Sequence, residues 1–144
     1  MKRLDLSGRA TVGSVAVPFE ELATQPTARG VVLTPDVAFE SLAPYLPQLD
    51  LVVVTFPIFR DGRGFTQARA LREYGGFTGE IRATGHLLPD QANHLRRVGI
   101  DSVELPDDAD PSPWERERHR FHTAYQFSVG GESGPLSGLR RALT

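Results

Sequence analysis

Between an apolar run and a helical pattern, the chain places Arg60, Asp61, Gly62, Arg63 and Gly64 in direct succession. A guanidinium fork matches the paired oxygens of sulfate, phosphate and carboxylate, and the unpaired N–H groups at a helix start add a positive dipole end. Arg60, Gly62, Arg63 and Gly64 are therefore candidate anion-binding residues, with Asp90 and Gln91 further along completing the set. Asp61 is the candidate general acid or base, and His86 is placed to assist it. A structural reading uses the same residues differently: Asp61 caps the helix, Gly62 and Gly64 relax a tight turn, and Arg63 pairs with a carboxylate such as Asp90. Neither a Walker-type phosphate loop nor the dinucleotide glycine fingerprint occurs.

Other chemistry is thinner. Arg69, Arg72 and Arg82 would join Arg60 and Arg63 in a basic face suited to an anionic ligand or an acidic partner protein. His119 and His122 are three apart, but no third ligand recurs at a useful spacing, so no metal site is expected. No serine sits in a nucleophile elbow. With no cysteine, disulfides, thiolate catalysis and iron–sulfur ligation are excluded. Phe56, Phe59, Phe65 and Phe77 read as core rather than as a stacking platform for nucleic acid.

Sixteen Lys and Arg against eighteen Asp and Glu leave a formal charge of −2. No global field draws the chain to nucleic acid or an acidic membrane surface. The first residues lack the apolar segment of a secretion signal, and the longest apolar run, LVVV at 51–54, is far too short to cross a bilayer. A cytoplasmic location is expected.

The elements that must position these residues follow from alternation. Short apolar runs and amphipathic segments succeed one another from residue 30, each junction marked by Gly or Pro, which is the rhythm of repeated βα units. GVVL at 30–33, LDLVVVTF at 49–56, GEIRAT at 79–84 and IDSVEL at 100–105 read as strands. The second is apolar on both faces, as a central parallel strand must be. Helices are expected from Thr34, with Thr34 capping and Pro35 in the first turn; from the DGRG loop to Gly75–Gly76; from Pro89 to Gly99; and across Trp114, Phe121 and Tyr125. The expected class is α/β with a mainly parallel sheet, either half-barrel-like or open and flavodoxin-like. Residues 1–126 read as one domain, of which 1–29 are irregular with one or two short strands in ATVGSVAVPFEEL. Residues 127–144, rich in Gly and Ser, read as a flexible tail. In such folds ligands gather at the carboxyl ends of the strands, so the DGRG loop, His86 and Asp90 are expected on one rim.

The stretches FPIFRDGRGFTQARALRE and GFTGEIRATGHLLPDQ, together with the later FHTAYQ, resemble the bacterial family catalogued as domain of unknown function nine hundred thirty-four. The likeness runs from about Gly30 to Gln126. Members are commonly labelled as probable oxidoreductases involved in sulfite reduction, because they tend to be encoded beside the reductase haemoprotein of assimilatory sulfur metabolism. The chain departs from the family where His86 replaces an acidic residue, Pro89 an arginine and Val98 a frequent cysteine, so no acid or thiol at those positions is essential chemistry here. The resemblance implies an accessory protein of sulfite reduction that binds sulfite reductase or a small anionic ligand. A small pathway enzyme acting on a sulfur oxyanion or a phosphorylated substrate is the alternative. A structural subunit, covering a sheet edge in a homodimer, is the third. No cofactor is specified; a flavin or nicotinamide would have to be held by backbone and Arg contacts alone.

Overall fold

The computed structural model describes residues 2–8, 13–57 and 62–120. Its centre is a six-stranded sheet of β1 (Lys2–Asp5), β2 (Ala16–Pro18), β3 (Gly30–Leu33), β4 (Leu51–Phe56), β5 (Glu80–Gly85) and β6 (Ser102–Leu105), in the order β1-β6-β5-β4-β3-β2. From β2 to β6 every strand is parallel to the one before it and lies beside it; only β1 is antiparallel, against β6. The α/β class stands, and the order is that of consecutive barrel units left open. Of the two layouts expected, the sheet is open, and from β2 to β6 it follows chain order without the reversal of a flavodoxin sheet.

From β2 to β6 the steps all run in one direction, and the right-handed crossovers usual for parallel strands would put the described helices on one face. The alternation of strand side chains agrees. Leu33, Val54, Ala83, Val103 and Leu4 stand in one row across five strands. With Val31, Val52, Phe56, Ile81 and Leu105 they form a core shared with Leu42, Ala68, Leu71, Ala92, Leu95 and Trp114 of the helical layer. The opposite face changes character along the sheet. It carries Leu51 and Val53 on β4, then Glu80, Arg82, Ser102 and Glu104 on β5 and β6. There Glu80, only 2% exposed, is held by Arg3 (2.8 Å), Arg82 (3.2 Å) and the Ser102 hydroxyl (2.6 Å), and Arg82 also reaches Glu104 (3.3 Å). A charge this deep is tolerated only with such partners.

The helices are unequal. The expected start at Thr34 is corrected: α1 spans only Phe39–Leu42, and Ala38 precedes it without a side-chain cap. The Thr34 hydroxyl instead bonds the Asp36 carboxylate, the Val37 N–H closes a turn on Thr34, and the Gln67 amide donates to the carbonyls of Thr34 and Val37, both at 2.9 Å. These bonds hold 34–37 as a loop against the next helix. Pro44 and Pro47, which cannot donate, then turn the chain into the 3-10 segment Ala43–Gln48. α2 (Arg63–Glu73) is the longest of the first three, buries Gln67, Ala68 and Leu71, and is followed by the left-handed Gly76. α3 (Ala92–Arg97) follows the 3-10 turn Pro89–Gln91 and turns Ala92 and Leu95 inward, with Val98 just beyond. A fourth helix is described over 112–120 and buries Trp114; Phe121 and Tyr125, and the tail at 127–144, lie outside the described residues. Among the described residues no helix is long and apolar enough to cross a membrane.

α2 sits tightly on the end of β4 because Gly64 has no side chain. A Cβ there would lie 2.6 Å from the Phe56 ring, which is buried and cannot swing away. Gly64→Ala is expected to lose about 1–3 kcal/mol by overpacking, read as a lower urea midpoint; unchanged stability would show the helix free to shift outward.

Candidate functional site

β4 ends at Phe56, β5 at Gly85, and both open on the rim where the sequence places its candidates. The two strand ends are joined where the His86 N–H donates to the Phe56 carbonyl at 2.7 Å. Arg60 and Asp61 lie outside the described residues, and the capping role considered for Asp61 lies there with them. Gly62 flanks the start of α2 and accepts the Thr66 N–H at 3.3 Å; Arg63 opens the helix; Gly64 is buried beneath it. The first-turn N–H groups of α2 therefore face the rim with the positive end of the helix dipole.

Across β5, the His86 side chain and Asp90 are exposed at the surface. Gln91 acts locally, where its side-chain carbonyl accepts the Leu88 N–H at 2.9 Å and braces the turn that starts α3. The Arg63 charge is felt on the other side, at Asp36. The Asp36 carboxyl is held below the usual carboxylate range first by the Thr34 hydroxyl, next by a backbone hydrogen bond, and more weakly by Arg63.

His94 is the rim residue that sequence reasoning passed over. Its ring meets Phe65 edge-on at 4.3 Å, and Phe65 in turn lies 5.0 Å from Phe56. This aromatic chain leads from the core to an exposed imidazole between the first turn of α2 and α3. The available signal was spacing: His94 is three residues after Gln91, on the same face of a short helix.

The basic face expected of Arg69, Arg72 and Arg82 does not form. Arg82 points from β5 to the helix-free side, into carboxylates. Arg69 is paired with Glu73 one turn later, at 3.9 Å. Arg72 commits all five of its N–H donors: twice to the Gly99 carbonyl (3.1 and 2.9 Å), to Phe77 (2.7 Å), to Gly79 (2.8 Å) and to the Asp101 carboxylate (2.7 Å). Asp101 in turn accepts the Ile81 N–H and the Ser7 hydroxyl, each at 3.0 Å. Arg72 thereby ties α2 to the segments entering β5 and β6.

Fold and rim together define an α/β protein of repeated βα units, with a glycine-flanked helix start presented at the carboxyl end of its central strand. The chain belongs to the family described as "Bacterial protein of unknown function (DUF934)", which matches residues 30–135 and so takes in β3 to β6 and the whole described rim. No curated protein and no solved structure matches it significantly.

Proposed function

We propose that the protein is an accessory factor of assimilatory sulfite reduction, binding an oxyanion of that pathway or the sulfite reductase itself at the carboxyl-end rim. The observation that carries the binding is the start of α2: Arg63 and the first-turn N–H groups stand together at the end of the central strand. The family resemblance supports the pathway. A binding role is preferred to acid–base catalysis because, among the described residues, no contact joins the His86 side chain to a second titratable group. The enzyme reading would need Asp61 to complete such a pair.

Sulfite, sulfate and phosphate are tested separately by thermal shift. A ligand at a hundred times its Kd stabilises by about 2.7 kcal/mol, a rise of several degrees for a chain of this size. Arg63→Ala should lessen that rise, by the part that binding at the rim contributes, without lowering the unliganded midpoint by more than a degree or two. Co-purification with sulfite reductase is the expected result in cells, and unimpaired growth on sulfate after deletion of the gene would overturn the pathway assignment.

A further inference from the structure

Between α2 and α3, toward the amino-terminal ends of the strands, lies a small notch of about 150 Å³ lined by Arg69, Arg72, Glu73, Arg97, Val98 and Gly99. We propose that it is an oxyanion site in its own right, in which Arg69 and Arg97 clasp a tetrahedral or pyramidal anion such as sulfate, phosphate or sulfite.

The charges point this way once each is assigned. Arg72 is spent, its five donors taken by three carbonyls and Asp101, so it serves as a rigid floor. Arg69 has a carboxylate neighbour, Glu73, but the pair is 3.9 Å apart with both side chains about 60% exposed. It also runs in the weaker order, cation before anion along the helix, so it holds Arg69 loosely. Arg97, the last residue of α3, is exposed, and no carboxylate among the described residues pairs with it. A basic residue at a helix end is ordinary compensation for the dipole. That accounts for Arg97 alone; it does not account for Arg69, midway along α2, converging on the same concavity. Two arginines lining one notch place like charges near each other, a repulsion that an anion bridging them with charge-assisted hydrogen bonds would relieve. The volume suits that guest: it equals about five water molecules, enough for a small oxyanion with part of its hydration.

The site is independent of the rim, and calorimetric titration of the full chain at low ionic strength separates them. Sodium sulfite, sulfate and phosphate are the probes, each titrated alone. At least one should bind, with Kd weakened about tenfold by Arg69→Ala and by Arg97→Ala, unchanged by Arg63→Ala, and weakened by added sodium chloride. Glu73→Gln should tighten binding by removing the competing carboxylate. All these side chains are largely exposed, so thermal midpoints near that of the unaltered protein confirm that the variants fold. Absence of oxyanion binding, or binding indifferent to Arg69 and Arg97, overturns the site. The unaltered protein should show two sites, of which each variant keeps one; a single site lost in Arg63→Ala but kept in Arg97→Ala would overturn the notch in favour of the rim, and a single site with the reverse pattern would leave the notch standing and overturn the anion role of Arg63.

Discussion

Replacing Gly85 by alanine is expected to destabilise the protein on the order of 3 kcal/mol or more. Gly85 has φ +108°, a conformation L side chains rarely adopt, and an added Cβ would overlap the Phe56 carbonyl oxygen and lie 2.9 Å from its carbonyl carbon. The obstruction is main chain of the neighbouring strand, so no rotamer change relieves it. Relief would require β5 to peel from β4, breaking the 2.7 Å bond from His86 to Phe56 that joins the strand ends. At about 2–4 °C per kcal/mol for a domain of this size, the thermal midpoint should fall by roughly 6–12 °C. A fall of only a degree or two would mean that the β4 and β5 ends are not locked together as described.

An effect of similar size is expected at Arg72. In Arg72→Ala the Asp101 carboxylate, 6% exposed, loses the guanidinium bonded to it, and the carbonyls of Phe77, Gly79 and Gly99 lose their shared donor. Breaking a buried pair from one side costs about 3–5 kcal/mol. Arg72→Lys should recover little, since a single ammonium cannot reproduce a fork spread over four acceptors. The informative comparison is a double-mutant cycle with Asp101→Asn, which keeps an acceptor for the Ile81 N–H at 3.0 Å. Arg72→Met with Asp101→Asn should be less destabilised than the sum of the two single changes, by at least about 1 kcal/mol. Strict additivity, measured by urea unfolding, would show that the two side chains do not act as a unit.

Much of the fold was legible because parallel strands buried on both sides announce themselves. GVVL and LVVVTF became β3 and β4, and Ala92, Leu95 and Val98 lay inward at the expected helical spacing. β1 was not legible: KRLD has no apolar alternation, and its pairing with β6, about a hundred residues away, is a tertiary fact. The start of α1 misled because Thr34, Pro35 and Asp36 carry helix-start chemistry, yet Gln67 from a different element claims the Thr34 and Val37 carbonyls. The rim was legible in outline, since strand ends could be located and Gly62, Arg63, Gly64, His86, Asp90 and Gln91 all fall after β4 or β5. What residue type could not disclose was direction. Arg72 and Arg82 share one side-chain chemistry with Arg63, but strand alternation and burial sent both into carboxylates.

The two outermost strands also bear on how the protein behaves in a crowded cell. An open sheet has two borders of unpaired N–H and C=O groups, and each is a template on which another chain can add a strand. One border here is only three residues long and ends in Pro18, which has no N–H to offer; the other is four residues carrying Lys2, Arg3 and Asp5 and runs against the direction of the rest. A newcomer at the first meets an interrupted ladder, and at the second a charged one that a parallel βα unit cannot extend in kind. The least regular part of the sequence thus supplies both borders of the six strands found among the described residues, and each border resists the addition of another chain.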